Sequence, residues 1–247
     1  MTALNKHKRL LASLLIIGLL LGISPSMGAK ELSSYLYNYY YNMGLKVLAY
    51  GFRALAGEHF KQVLVTDPDN FEVRILWTMI LVEEGELDKA LVHCETLRKS
   101  PEADYTVDVL EGQIRQRLGQ LEAASALYNK ALAQDDQLAL AHLGLAQIWA
   151  LTGDAPQAEE AYKTVVKLSP DRLDAYLELA GLQQKNGALE AAEATLKDGI
   201  AINRQWAPLH SQLALVYQEA GKHDEAKVAM ERARQLDPDL VTGEALN

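Results

Sequence analysis

The chain of 247 residues carries 24 Lys and Arg against 33 Asp and Glu, and 49% of its residues are hydrophobic. So much apolar sequence excludes intrinsic disorder. The acidic balance argues against a nucleic-acid partner, because phosphate affinity depends on clustered Lys and Arg. The single cysteine, Cys94, excludes a disulfide framework and a cysteine-based zinc site.

Residues 1–29 have the order of a secretory leader. A basic start that includes Lys8 and Arg9 precedes an apolar run over residues 10–23, and small residues follow up to Ala29. We interpret this segment as a cleaved signal peptide, so the mature chain is expected to be periplasmic or secreted. Because the uncharged stretch continues to Ala29 and is 20 residues long, an inner-membrane anchor with the rest of the chain facing the periplasm is the alternative.

Residues 30–36 are a tyrosine-rich lead-in, and the tyrosines continue beyond it. Tyr40 is expected in the core. The others suggest either a cap on the exposed end of a helical stack or a patch that adheres to a protein or membrane. The whole set is Tyr35, Tyr37, Tyr39, Tyr40, Tyr41 and Tyr50.

A 34-residue period runs through the rest of the chain. The phased glycines are Gly51, Gly85, Gly119, Gly153, Gly187 and Gly221. The alanines that follow each of them by five positions are Ala56, Ala90, Ala124, Ala158, Ala192 and Ala226. A glycine at this phase fits the left-handed residue that ends a first helix, and proline after a second helix stops it. Each period therefore predicts a helical hairpin that must stack on its neighbours to bury its apolar face.

These features resemble the tetratricopeptide-repeat (TPR) family, whose hairpins carry a large residue, Leu-Gly and Tyr, then Ala, an aromatic residue, Ala and Pro. The fourth period matches most fully, in Leu145, Ala146, Trp149, Ala158, Tyr162, Val165 and Pro170. The resemblance implies an all-α fold, a right-handed α-solenoid of six helix-turn-helix TPR units over residues 37–240. The units are 37–70, 71–104, 105–138, 139–172, 173–206 and 207–240, with a tail at 241–247.

Two periods depart from the family pattern. The third has Asp108, Glu111 and Arg115 where large apolar residues are usual, which predicts altered packing there. The fifth has Gln183, Gly199 and Arg204, which predicts a softer second helix.

No arrangement of catalytic groups emerges from the sequence. Cys94 occupies the phased aromatic position and is expected to be a buried structural thiol. The acidic stretch from Glu83 to Asp88 lacks calcium-site spacing and is expected to be a solvated turn. The repeat histidines lie in separate units without metal-ligand spacing, at His59, His93, His142, His210 and His223. We therefore predict no enzyme activity, no metal and no cofactor.

The resemblance implies that the first helices line a concave groove for a partner peptide. The candidate groove residues are Tyr41, Leu45, Ile75, Met79, Val109, Gln113, Leu143, Gln147, Leu177, Gln184, Leu215 and Gln218. They form an apolar stripe with a glutamine ladder, which suits an extended or helical peptide, and Asn38, Glu72 and Asp174 lie at its rim. The alternative is that half of the apolar residues pack between units. Leu45, Met79 and Leu215 stand where the family's chaperone-tail clamp needs polar residues, so recognition of a C-terminal carboxylate is not expected.

The expected function is a non-enzymatic adaptor or scaffold of the bacterial cell envelope that holds a protein or peptide partner of unknown identity. The resemblance suggests settings such as pilus biogenesis, secretion, polysaccharide export or cytochrome maturation. Membrane attachment is expected only with an uncleaved leader. The last helix is polar, but Met230, Ala233 and Leu236 leave an apolar strip, so end-to-end self-association is also expected.

Overall fold

The computed structural model describes residues 29–239. Of the predicted leader only Ala29 is among them, and the predicted tail lies outside them. This part of the chain forms twelve helices and no strand. In chain order they are α1 (Ala29–Ala49), α2 (Arg53–Thr66), α3 (Phe71–Glu83), α4 (Leu87–Leu97), α5 (Tyr105–Arg117), α6 (Leu121–Leu132), α7 (Ala139–Thr152), α8 (Ala155–Leu168), α9 (Leu173–Lys185), α10 (Leu189–Ile202), α11 (Ala207–Glu219) and α12 (His223–Leu236).

The turn between α7 and α8 shows why the sequence forms a hairpin. Gly153 ends α7 with φ +87°, a left-handed conformation in which a side chain is strained. Asp154 then caps α8, its carboxylate accepting from the backbone N–H of Gln157 at 3.3 Å, and Pro156 fits the first turn. All six phased glycines have φ between 72° and 87°, so the predicted helix ends are confirmed.

The phased small residues lie where paired helices approach most closely. All six phased alanines are buried. In the first hairpin, a Cβ built on Gly44 of α1 would lie 2.6 Å from the Phe60 ring of α2, so the ring packs directly on the glycine. Cys94 is buried at the corresponding position of α4, as predicted.

The chain divides into two compact units, Met1–Val107 and Asp108–Asn247, with the boundary inside α5. In the first unit, Phe60, Val63, Val73 and Ile80 form a core between α2 and α3. The lead-in is helical, because α1 begins at Ala29, and Leu36 within it is buried.

The third hairpin, in the second unit, buries carboxylates where apolar residues are usual. Asp108 of α5 is buried and pairs with Lys130 of α6 at 3.0 Å. Glu111 is also buried and binds the Arg115 guanidinium at 2.6 Å. The altered packing predicted for this hairpin therefore consists of charged pairs, since a buried charge is tolerated when it has a partner.

The fifth hairpin replaces apolar contacts with a hydrogen bond and a close helix approach. Gln183 of α9 is buried and accepts from the hydroxyl of Thr195 on α10 at 2.8 Å. A Cβ on Gly199 would lie 3.0 Å from Leu209 and 3.1 Å from Tyr176. This glycine thus meets a packing requirement, and α10 continues through it to Ile202.

The last hairpin differs from the expectation at one point. Met230 and Ala233 of α12, which were predicted to leave an apolar strip, are buried, and Met230 belongs to a cluster with Leu213 and Tyr217 of α11. The large apolar side chain that α12 exposes is Val228. The strip was predicted wrongly because the sequence does not show how far α12 rotates toward α11.

Candidate peptide-binding groove

The first helices of the hairpins carry all twelve candidate groove residues. Tyr41, Leu45, Ile75 and Met79 belong to the first compact unit, on α1 and α3. The other eight belong to the second unit, on α5, α7, α9 and α11. The candidate set is therefore divided four to eight between the two units.

In the first unit a tyrosine and a carboxylate link successive first helices. The hydroxyl of Tyr41 on α1 donates to Oε1 of Glu72 on α3 at 2.7 Å. This bond raises the pKa of Tyr41 to about 12, because losing the proton would place two negative charges side by side. Leu45 and Ile75 are half-buried, whereas Met79 is 52% exposed. The accessible apolar group on this surface is therefore Met79.

Three of the six clustered tyrosines, Tyr37, Tyr40 and Tyr41, pack on the core of the first unit. The rings of Tyr37 and Tyr41 stack with their centroids 5.9 Å apart, and Tyr40 lies 5.9 Å from His59 of α2. The side-chain amide of Asn70 donates to the Tyr37 hydroxyl at 3.2 Å. Together with Tyr40, these rings cover the core below them, which favours the capping interpretation.

Two of the four predicted ladder glutamines, Gln147 and Gln184, make hydrogen bonds to neighbouring first helices, and their partners are residues that the sequence did not single out. The amide of Gln116 on α5 donates to Oε1 of Gln147 on α7 at 2.9 Å. The same Gln116 accepts from the hydroxyl of Tyr128 on α6 at 2.8 Å. Gln116 lies one turn after the candidate Gln113, so its helical spacing was the signal that could have revealed it.

A second chain of hydrogen bonds links α9 to α11. Gln212 donates to Oε1 of Gln184 at 2.6 Å, and Gln184 donates to Oε2 of Glu219 at 2.7 Å. Each bond joins neighbouring first helices, so the amides that were expected to face a partner also hold the groove helices together. Gln212 and Glu219 were not among the predicted residues.

Burial divides the remaining candidates into core and surface residues. Val109 and Leu143 are only 7% and 8% exposed, and Leu143 lies in a cluster with Tyr162. These two residues are therefore packed in the core, as the alternative interpretation of the apolar candidates expected. Leu177, Gln113 and Gln218 are half-buried, and Leu215 is 43% exposed. The accessible surface of the second unit thus combines amides with Leu215.

Two of the groups considered for chemistry, His93 and Glu86, have structural partners. His93 lies 5.0 Å from the Trp77 ring, and its Nδ1 accepts from the Arg74 guanidinium at 3.1 Å. Burial lowers the pKa of His93 below 6.5, and the nearby Arg74 charge lowers it further. The acidic turn is exposed, with Glu86 paired to Lys89 at 2.9 Å. Across residues 29–239 the structure has no group of three or more His, Cys, Asp or Glu that could hold a metal ion.

No helix in the described part of the chain is both long and apolar enough to cross a membrane.

The family model for the middle TPR-like domain of cilia and flagella-associated protein 70 matches residues 113–237, just over half of the chain. This chain belongs to the tetratricopeptide-repeat family. TPR domains bind protein partners, and TPR scaffolds are generally non-enzymatic. The predicted all-α solenoid of TPR hairpins is confirmed.

A curated relative and two solved structures extend this assignment. Lipopolysaccharide assembly protein B of Escherichia coli is 25% identical over 214 residues, covering 82% of this TPR chain and 54% of the relative. The chain therefore spans about half the length of the curated relatives it matches. PilF of Pseudomonas aeruginosa superposes with TM-score 0.67 at 18% identity, covering 84% of this chain and 94% of PilF. The structure of the APC/C hetero-tetramer Cut9–Hcn1 superposes with TM-score 0.70 at 18% identity, covering 82% of this chain and 40% of the matched chain. These two structural likenesses concern the fold alone.

Proposed function

We propose that this TPR chain is a non-enzymatic adaptor of the bacterial cell envelope that holds a segment of a partner protein on its first helices during assembly of an envelope complex. The observation that carries the proposal is that the first helices bear hydrogen-bonded amides in the second unit and an exposed apolar residue in each unit, Met79 in the first and Leu215 in the second. The envelope setting is supported by the relative named lipopolysaccharide assembly protein B. A pilus, secretion or polysaccharide-export complex is the class of assembly we propose.

The chemistry of this surface suits a peptide more than a small molecule. Each glutamine offers both an N–H donor and a carbonyl acceptor, the two groups that an extended peptide backbone presents. An apolar side chain such as Leu215 gains free energy when a partner covers it. The surface therefore combines backbone recognition by amides with apolar anchoring, as in other peptide grooves.

Substitutions on exposed positions test the groove in each unit separately. We expect Met79→Glu and Leu215→Glu each to weaken capture of the partner about tenfold, because a carboxylate would replace an apolar anchor. The matched controls are Val92→Glu and Ile202→Glu, on the second helices α4 and α10, where these apolar residues are also exposed. The partner is identified by cross-linking in native envelopes, and the affinity of each purified variant is then measured.

The control variants are expected to bind as the unchanged protein does, and all four are expected to keep its circular dichroism spectrum. A folded Met79→Glu, Leu215→Glu double variant that binds its partner normally would refute the groove assignment. Leu143 is left unchanged in these variants, since its burial would make a glutamate there unfold the hairpin.

The alternative proposal is an inner-membrane scaffold that keeps its N-terminal segment, supported by the 20 uncharged residues that end at Ala29. The intact mass of the purified protein distinguishes the two. Cleavage near Ala29 removes about 3 kDa from a chain of 27.3 kDa. An unshortened mass together with resistance to carbonate extraction would favour the scaffold.

End-to-end self-association is a separate proposal. The exposed Val228 on α12 is the large apolar group that a second copy could cover. Sedimentation equilibrium is expected to give an apparent mass that rises with concentration. A monomer mass at every concentration would exclude self-association.

A further inference from the structure

An open groove runs beside α12, the last helix of the second unit. It has a volume of about 540 Å³ and is lined by side chains of α10, α11 and α12. Val228 of α12 is 72% exposed at its wall, so water covers an apolar side chain there, which is unfavourable. This α12 groove therefore gains free energy when a partner covers it. Its apolar lining residues are Ile200, Leu213, Tyr217, Val228 and Ala229.

Four charged side chains line the α12 groove, and two of them already have partners. Lys197 of α10 pairs with a glutamate of its own helix at 2.6 Å, and Asp224 of α12 lies 4.0 Å from Lys227. Glu225 and Arg232 are both exposed on α12, and neither has a hydrogen-bond or ion-pair partner among residues 29–239. The groove thus keeps one carboxylate and one guanidinium that a partner can bind.

These two charges and the exposed valine share one face of α12. Val228 follows Glu225 by three residues and precedes Arg232 by four, and residues at these spacings lie on the same side of a helix. Glu225 and Arg232 are about 10 Å apart along the axis, at about 1.5 Å per residue. The point midway between them lies between Val228 and Ala229. The face therefore carries an anion before its exposed apolar residue and a cation after it.

A second copy of α12 laid antiparallel on this face satisfies both charges at once. Turning the helix end for end about the midpoint exchanges the heights of Glu225 and Arg232, so each carboxylate meets the guanidinium of the other copy. The two Val228 side chains then lie beside each other at the centre. Such an interface is isologous, because each copy contributes the same surface, and it closes at two copies. A different protein would need the same charges in reversed order around an apolar residue, whereas a second copy of this chain carries them already.

The other carboxylates of α12 lie at the margin of this face. Asp224 and Glu231 are on the opposite side of Val228 from the two unpaired charges, so the acidic margins of two antiparallel copies approach each other. Both groups have neighbours in their own chain, Lys227 for Asp224 and the Gln235 amide at 3.3 Å for Glu231. Because they stay exposed, solvent and salt screen their repulsion, whereas the central ion pairs are covered with the valines. The central attraction therefore decides the pairing.

We propose that the chain forms a twofold-symmetric dimer through antiparallel pairing of α12 with α12 of a second copy, with two Glu225–Arg232 ion pairs on either side of Val228. This inference rests on the self-association proposed above and deepens it. It adds the surface, the symmetry and the stoichiometry, since the association stops at two copies instead of continuing from copy to copy.

Reciprocal charge exchange in the full chain tests the pairing by sedimentation equilibrium. Glu225→Arg leaves only cations at the two ends of the face, and Arg232→Glu leaves only anions. Each variant alone is expected to dimerise at least about tenfold more weakly than the unchanged chain, because like charges meet across the axis. An equimolar mixture of the two is expected to form a heterodimer with an affinity within about threefold of the original, since every cation again meets an anion. The double variant Glu225→Arg, Arg232→Glu should recover in the same way.

The matched control is Arg234→Glu, which makes the same change of charge at another exposed position of α12. Two residues correspond to a rotation of about 200°, so this side chain points away from the face, and the variant should dimerise as the unchanged chain does. All variants are expected to keep the circular dichroism spectrum, because the exchanged side chains are exposed. Recovery in the mixture is a result that neither a general loss of structure nor association through another part of the chain would produce.

The outcomes separate this inference from the self-association beneath it. If the unchanged chain is a monomer at every concentration, both proposals fail. If it associates but the two charge variants associate equally well, self-association stands and the pairing of α12 is refuted. A mixture of the variants that stays monomeric, or an unchanged chain that grows beyond two copies, would also refute the pairing.

Discussion

The ring of Tyr128 on α6 lies against two first helices of the second unit. A Cβ on Gly112 of α5 would come within 2.7 Å of this ring, and a Cβ on Gly144 of α7 within 2.3 Å. Burial raises the pKa of the phenol, whose hydroxyl still donates to Gln116. One aromatic side chain thus sets how closely three helices pack, and the glycines opposite it are part of that contact.

The glycines at 144 and 181 give opposite predictions for the same substitution. Gly144→Ala should lower the free energy of unfolding by about 1–3 kcal/mol, because its Cβ would overlap the fixed ring of Tyr128. Gly181→Ala should raise it by about 0.5–1 kcal/mol, because the helix gains propensity and the Cβ meets open space. Urea denaturation of both variants and of the unchanged chain measures these two changes in the free energy of unfolding. A loss of stability in Gly181→Ala would mean that another part of the chain occupies the space beside this residue of α9.

The environment of His93 predicts a dependence of stability on pH. Because burial and Arg74 lower the pKa of this histidine in the folded chain, the unfolded chain takes up the proton first as the pH falls through about 6.5. The contribution of neutral His93 to the free energy of unfolding is therefore fully present above that pH and is lost as the pH falls below it. We expect a loss of about 0.5 kcal/mol, because the ring is half-exposed and solvent screens its charge.

The variant His93→Gln should remove this part of the pH dependence, since glutamine still offers Arg74 an acceptor but does not titrate. Thermal unfolding between pH 5 and 7.5 is compared for the two proteins. The control is His223→Gln, an exposed position on α12. Equal slopes for the unchanged chain and His93→Gln would show that another group is responsible.

Among the elements, the hairpin turn was the most predictable, because its requirements are local. Gly153 and its five equivalents adopt positive φ, and Ala158 and its equivalents are buried, as their 34-residue phase predicted. Few residue types satisfy either requirement, so the pattern persists in the sequence. The exposure of the candidate groove residues was less predictable. The same helical spacing applies to buried Leu143 and to exposed Leu215, and only the neighbouring helices decide which is covered.

The turn glycine also predicts how far the destabilisation caused by a single substitution extends along the chain. Gly153→Ala should destabilise the hairpin of α7 and α8 by about 1 kcal/mol, because alanine is strained at positive φ although its Cβ would meet nothing. Amide exchange in those two helices should then rise about fivefold, while exchange in α3 and α4 stays unchanged. Gly153→Asn is the control, because asparagine tolerates this conformation better. A uniform rise along the chain would contradict local opening.

At the scale of the whole molecule, stacked hairpins within a compact unit cover one another's apolar faces. In the second unit, Tyr176 of α9 and Leu196 of α10 are buried in one cluster with Leu209 and Leu213 of α11. Glu193 of α10 adds a charged link, pairing with Lys222 at 2.6 Å beyond the end of α11. The last hairpin therefore stabilises the fifth as well as itself, as expected when stability is a sum of hairpins and their interfaces.

Removal of residues 204–247 tests this dependence. The shortened chain leaves Tyr176 and Leu196 uncovered, so its fifth hairpin should lose roughly 3 kcal/mol of stability, about 1.5 kcal/mol for each large apolar side chain. The exposed face should also make the apparent mass rise more steeply with concentration than that of the control. Urea denaturation and light scattering measure the two effects, and a chain that lacks only residues 240–247 is the control. The fifth hairpin of the shortened chain could instead unfold at the same urea concentration as in the control, with an apparent mass that rises no more steeply. That result would mean that α11 does not protect the preceding hairpin and that the cluster around Leu196 is stable without it.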